Sequence, residues 1–348
     1  SILVFRFSAL GDIAMTIPVL RSFFNTYPNQ KITFVSRGFV EPLFKEFDNL
    51  EFVSVDFNND YKGLKGLFKL FKLLRKKNIK AVADLHNVLR TKILKIFFKL
   101  VFIKVQSIDK GRADRKKLTQ KNNKKFKPLT PIHYRYCDVF GRLGFPIDLT
   151  NHEYPIKPFL PENSEEQKIL SKSEDKKIIG IAPFASFTGK NYPLDLMQNV
   201  IAYLQKDHII YLFGGGENEL KQIKVWENAY DNVTDIASSF NLTEQINIIS
   251  YIDLMISMDS ANGHIAANYG VPVLTIWGMT HPFCGFTPFD QGIENSIMID
   301  RNLYPQIPTS VFGNKIPKGY ESAFRSVEPK EVIEKALEIL NLAKPRHN

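Results

Sequence analysis

Cysteine is scarce in this chain: Cys137 and Cys284 are the only two in 348 residues. They stand far apart and in no metal-ligand spacing, which argues against a disulfide scaffold or a cysteine zinc site and for a reducing, cytoplasmic setting. No apolar run reaches the ~18 residues of a membrane helix. Ile2 to Phe7 is too short for the core of a secretory signal and no cleavage site follows it, so no such signal is expected. The Walker lysine motif, HExxH, GxSxG and paired CxxC are all missing, and the one glycine after the first apolar run does not make a dinucleotide fingerprint. Asp56, Asp60 and Asp84 do not form the metal-binding DxD of many sugar transferases. No metal site is therefore expected.

What is abundant is positive charge, +10 in sum, which implies an anionic partner. Two stretches carry much of it. Tyr61 to Lys77 reads as a basic helix. Lys110 to Lys127 has one acid, Asp114, few apolar residues, and reads as an exposed basic loop.

The length suggests two domains, and the pattern agrees. Short apolar runs at Ile2–Phe7, Lys31–Ser36, Glu51–Val55, Ala81–Leu85 and Phe102–Val105 alternate with helical stretches, which means a doubly wound parallel sheet. Tyr154 to Asn163 holds three prolines and no periodicity and reads as a linker. A second series follows, with strands at Ile178–Pro183, His208–Phe213, Val233–Ile236, Leu254–Met258 and Val273–Trp277, and a final amphipathic helix at Pro329–Leu342.

Loops at the carboxyl ends of parallel strands are where such sheets bind ligands. In the second half these are Phe184–Lys190 with Thr188 and Lys190, Gly214-Gly215-Gly216-Glu217, and Met258–His264. Lys190 offers a point charge and the helix after Ser260 offers N–H donors, a pair suited to a diphosphate. Glu217 could accept hydrogen bonds from ribose hydroxyls. Each has a structural reading when taken alone: a solvated lysine, a helix cap at Asp259, a core histidine at His264. In the first half, the loop Ser8-Ala9-Leu10-Gly11-Asp12 leads into a helix containing Pro18. Either Asp12 caps that helix, or Thr16 does and Asp12 lies free in the loop.

Two stretches, FRFSALGDIAMTIPVLRSF at the start and SMDSANGHIAANYGVPVLTIWGMTHP near the end, resemble the two signatures of glycosyltransferase family nine, the lipopolysaccharide heptosyltransferases. ADLHNVLRTKIL, KGRADRKK, HYRYCDVFGRLG and the Thr188–Lys190 loop are collinear with it, so the resemblance covers nearly the whole chain. Ala261 stands where the family has glycine, with Gly263 two residues later, and His281 replaces a common acid. The resemblance implies an α/β protein of the GT-B type, two Rossmann-like domains facing across a cleft. They would be an acceptor domain at 1–158 and a nucleotide-sugar domain at 159–325, with 326–348 forming a helix that packs back on the first. It implies inverting transfer of heptose from ADP-heptose to the Kdo region of lipopolysaccharide, with Asp12 as general base and Lys190 against the leaving diphosphate. Donor-binding residues would be Ser8, Gly11, Thr188, Gly214, Gly215, Glu217, Phe240, Asp259, Ser260, Gly263 and His264. Lys62, Arg90, Arg112, Arg115 and Lys116 would receive the anionic lipid A acceptor, with peripheral contact to the inner membrane. No cofactor is implied, since the ADP-sugar is a substrate, and no nucleic acid. A transferase or epimerase using another nucleotide sugar, and an inactive binding protein of the same fold, remain the competing readings.

Overall fold

The computed structural model describes residues 1–173 and 176–342. In chain order the first half runs β1 (Ile2–Phe5), α1 (Leu10–Ala14), α2 (Ile17–Thr26), β2 (Ile32–Ser36), β3 (Leu50–Ser54), α3 (Gly63–Arg75), β4 (Ala81–Asp84), α4 (Leu89–Leu100), β5 (Lys104–Ser107), α5 (Arg112–Thr119) and α6 (Ile132–Leu143). The second half runs α7 (Glu165–Ser171), β6 (Ile178–Ala182), α8 (Leu194–Leu204), β7 (Ile209–Leu212), α9 (Glu217–Ala229), β8 (Val233–Asp235), α10 (Ile236–Ser239), α11 (Leu242–Tyr251), β9 (Leu254–Met258), α12 (Ala261–Ala267), β10 (Val273–Trp277), β11 (Ser296–Met298) and α13 (Pro329–Leu342). Among these described residues no helix is long and apolar enough to cross a membrane.

Two compact units result. One holds Ser1–Lys110 and Thr130–Glu153, the other Gly111–Leu129 and everything from Tyr154 onward. In the first, five parallel strands lie in the order β3-β2-β1-β4-β5. β1 and β4 are buried along their whole length, as strands covered by helices on both faces must be. Leu3 and Phe5 turn to the side covered by α3 and α4, where Leu67, Leu70, Phe71, Leu94 and Phe98 complete the core. In the second unit six parallel strands lie in the order β11-β10-β9-β6-β7-β8. The order reverses beside β1 in one sheet and between β6 and β9 in the other, which fixes where each crevice opens.

Three expectations change. The stretch after Lys110 is not an open loop of the first domain. Its centre is α5, and Leu118 buries itself with Cys284 and Val311 of the second unit. One apolar residue per two turns left this helix without a readable stripe. Second, the apolar side of the terminal helix, expected against the N-terminal domain, is taken up within the second unit. Val332, Ile333, Ala336, Ile339 and Leu340 join the core of the second unit, beside α8, β9 and β10. Its approach is fixed by Tyr192, which donates to the Val327 carbonyl at 2.7 Å, and by Arg325, which makes two 2.9 Å bonds to Asp195. Residues 343–348 of that expectation lie outside the described residues. Third, Phe102 is not in a strand: it sits in the left-handed region, φ 61°, between α4 and β5.

Candidate active site

In the first unit the loop after β1 and the loop after β4 meet. Arg6, 6% exposed, donates from one terminal nitrogen to the Leu85 carbonyl at 3.0 Å and pairs the other with Asp12 Oδ2 at 2.5 Å. Burial alone lowers the guanidinium's pKa, but Tyr136 and Asp12 outweigh it and the pKa ends above its ordinary value. Asp12 lies in the short helix α1, where Oδ2 also accepts the Ala9 N–H at 3.4 Å, and Tyr136 Oη donates to its backbone carbonyl at 3.1 Å. Oδ1 carries no hydrogen bond among the described residues. Thr16 occupies the cap position of α2 and Pro18 falls in its first turn, so no kink is needed. Asp12 is thus neither that helix's cap nor free: a buried cation holds it.

His86 completes this corner. Its Nδ1 accepts the Phe7 N–H at 3.3 Å, and burial followed by repulsion from Arg6 lowers its pKa to about 3, so the ring is neutral. Asp84 anchors the turn beneath it, its Oδ1 accepting the His86 and Asn87 N–H groups at 3.1 and 2.7 Å. Lys95 Nζ stands 2.9 Å from the other oxygen, an ion pair without hydrogen-bond alignment.

In the second unit the corresponding corner joins the loops after β6 and β9. Lys190 Nζ lies 2.8 Å from Asp259 Oδ2 and donates to the Asp259 carbonyl at 3.1 Å. Asp259 is buried and Lys190 nearly so. Tight packing fixes the lysine: Gly189 accepts the Met279 N–H at 2.7 Å, a Cβ at Gly278 would stand 2.3 Å from the Gly189 oxygen, and one at Gly313 would stand 2.5 Å from Lys190 Cγ. Ser260 has the extended backbone of an N-cap, yet its hydroxyl turns to Ser257 Oγ at 3.1 Å and leaves the first turn of α12 without a side-chain cap. His264 is buried in α12. Gly263 lets α12 lie close to the sheet, since a Cβ there would come 3.0 Å from Ser257 Oγ and 3.3 Å from Val273.

The other expected donor residues are more exposed. Thr188 lies on the surface of the Lys190 turn, and Ser8 and Gly11 are half-buried in the Asp12 loop. Gly214 packs against Phe184, tying the loop after β7 to the loop after β6. Glu217 is exposed and paired with Lys221 at 2.6 Å; the acid that turns into the glycine loop is Glu219, which accepts the Gly215 N–H at 2.8 Å. Phe240 is half-buried at the end of α10. Sequence reasoning passed over Arg6, His86 and Glu219. A basic residue at a buried strand's end was the available signal for Arg6.

The five expected acceptor residues fall into both units. Lys62 is exposed before α3, and Arg90 lies over the Phe57 ring at 5.0 Å, both in the first unit. Arg112, Arg115 and Lys116 are on α5, in the second, Arg115 lying 5.0 Å from the Phe286 ring centre. Their neighbourhood is an aromatic nest. Phe126 takes the Arg301 guanidinium at 3.4 Å and packs on Phe283 and His281. Lys124 donates to the Leu118 and Pro308 carbonyls at 2.7 and 2.8 Å, and burial with Arg301 nearby lowers its pKa to about 8. His281 Nδ1 accepts the Phe283 N–H at 3.0 Å, and burial holds its pKa near 4.

The profile of glycosyltransferase family 9 (heptosyltransferase) matches residues 67–316. The chain belongs to that family. It is a glycosyltransferase of the heptosyltransferase kind, with two parallel sheets and flanking helices as in GT-B proteins. It is 25% identical over 288 residues to the lipopolysaccharide core heptosyltransferase OpsX of Haemophilus influenzae, covering 81% of this chain and 80% of that one. Among solved structures, the family 9 glycosyltransferase of Veillonella parvula superposes with a TM-score of 0.75 at 18% identity, over 98% and 97% of the two chains. Escherichia coli heptosyltransferase WaaC with ADP gives 0.67 at 16% identity, over 97% and 99%.

Proposed function

We propose that this family 9 enzyme transfers heptose from ADP-heptose to an anionic sugar of the lipopolysaccharide inner core, with inversion. The observation that carries the reading is the Lys190–Asp259 pair at the second sheet's switch point. A nearly buried lysine at a switch point supports diphosphate binding there, because an anion can share or replace its partner. The solved relative that holds ADP supports the choice of nucleotide. The acceptor hydroxyl oxygen forms the new bond to the anomeric carbon, the bond from that carbon to the diphosphate breaks, and ADP leaves with Lys190 beside its new charge. Asp12 takes the hydroxyl proton. Arg6 holds Oδ2, and Oδ1, without a hydrogen bond among the described residues, is the oxygen suited to receive it. Ser260, Gly263 and His264 line the donor side of this reading, and protein groups rather than a metal stabilise the leaving group. Lys62, Arg90, Arg112, Arg115 and Lys116 meet the acceptor's carboxylates and phosphates, and the enzyme works in the cytoplasm at the membrane surface.

The test is product formation from ADP-heptose and core acceptors truncated after Kdo, with ADP and UDP compared as inhibitors. Transfer with preferential inhibition by ADP supports the reading. Preferential UDP binding, which the Ala261 departure brings into view, would replace the donor; nucleotide binding without turnover on any acceptor would leave a binding protein.

A further inference from the structure

We propose that the outer face of α3 and α4, with the turn at Phe102, is a docking surface for an anionic lipid bilayer. Between Asp60 and Asp109 the chain carries thirteen lysines and arginines and a single acid. That acid, Asp84, is fully buried and paired with Lys95, so it offers no negative charge to the surface. The two helices lie side by side on one face of the first sheet, joined by Phe68 and Phe97 at 5.6 Å. Their inner sides supply the core.

The outer sides carry what a water-facing helix normally lacks. Leu64 and Phe68 stand one turn apart on α3, and Ile96 and Leu100 one turn apart on α4. Leu64 is 62% exposed, Leu100 70%, and Phe102 98%. Between them stand the exposed Lys65, Lys69, Lys72, Lys92 and Lys99, Lys72 lying 4.8 Å over the Phe68 ring. Phe102 is the sharpest element. It holds a left-handed backbone, where glycine or asparagine is cheaper, and its ring packs on almost nothing. The fold gains nothing from a phenylalanine there; a bilayer would.

Alternating lysines and large apolar side chains with no exposed acid match the boundary between anionic headgroups and acyl chains. A nucleic acid would use the lysines but has no use for exposed leucine and isoleucine. A protein interface core is depleted in lysine. The inference narrows the membrane contact of the proposed function to one face. Vesicle binding is read without donor or acceptor, so its failure and the failure of the transfer reading are distinguishable.

The full chain is mixed with phosphatidylglycerol–phosphatidylethanolamine vesicles and with phosphatidylcholine vesicles and sedimented. Binding to the first and not the second, weakening as salt rises, is expected. Leu64→Gln/Leu100→Gln/Phe102→Gln, all exposed positions, should lower the bound fraction at least tenfold with an unchanged Tm. A Phe102→Trp variant reads insertion directly, because Trp226 and Trp277 are fully buried in the other unit. Its emission should shift to the blue with anionic vesicles alone. Three results overturn the proposal: no binding at low salt, undiminished binding by the triple variant, or an oligomer that the triple variant dissolves, which would assign the face to a second copy of the chain.

Discussion

Asp12→Asn tests the chemistry most directly, and the structure changes what it should do. Loss of a general base is worth about 10²–10⁴ in rate, or roughly 3–5.5 kcal/mol of transition-state stabilisation. On sequence alone asparagine would be a near-neutral substitute for a helix cap. The structure adds Arg6, buried and 2.5 Å from the carboxylate, which would lose its counter-charge. A hydrogen bond to a charged group contributes about 1.5–3 kcal/mol. Asparagine can still accept from Arg6, and Asp12 is 27% exposed, so the lower end applies. For a domain of this size that is a Tm fall of about 3–6 °C. So modest a loss leaves the protein folded at assay temperature and cannot itself produce a hundredfold fall in kcat. The assay is initial rate by ADP release, with ADP affinity by calorimetry and Tm on the same preparation. A kcat of wild-type order in Asp12→Asn would refute the base assignment. A lowered kcat with lost ADP affinity would point to wider damage instead.

Lys190→Ala should weaken ADP binding by about 1.5–3 kcal/mol and also lower Tm, because Asp259 stays buried without its counter-ion; adding Asp259→Asn should restore Tm but not ADP affinity in calorimetry. Gly263→Ala should cost about 1–3 kcal/mol in urea unfolding, since its Cβ meets Ser257 and Val273 inside a packed layer. Charge reversal at Arg112, Arg115 and Lys116 should raise acceptor KM while sparing ADP affinity, and an equal loss of both would mean that α5 has lost its seat on the second unit. His86, His152 and His281 have folded pKa values near 3, 4 and 4, chiefly from burial, below the ordinary 6.5. Below pH 6.5 the unfolded chain takes up protons that the folded one refuses, so the stability present above 6.5 falls as pH drops toward 4. Urea midpoints at pH 7 and pH 5 should differ in that direction, and His281→Asn should narrow the difference.

The local grammar was legible in the order of residues alone. Apolar runs of strand length, bounded by Gly, Pro, Asp and Ser, marked β1, β2, β4, β6, β9 and β10, because a strand buried on both faces must be apolar throughout. Two signatures at the ends of such strands were enough for the family. They also contain Asp12 and Asp259, and the strand-end loop Phe184–Lys190 singled out Lys190, all polar residues placed where strand order makes a crevice. What depends on partners distant in sequence emerges once the chain is folded. Arg6 reads as one more basic residue until the fold buries it against Asp12 and the Leu85 carbonyl. Lys190 and Asp259 are 69 residues apart, and they meet because β6 and β9 are sheet neighbours. α5 looked like a solvated charge run because a single leucine anchors it, and only the pocket formed by Cys284 and Val311 shows which unit it joins. The stripe of α13 announced that it would be buried. It could not say against which unit, since an apolar stripe carries no address; the contacts of Tyr192 and Arg325 supply one.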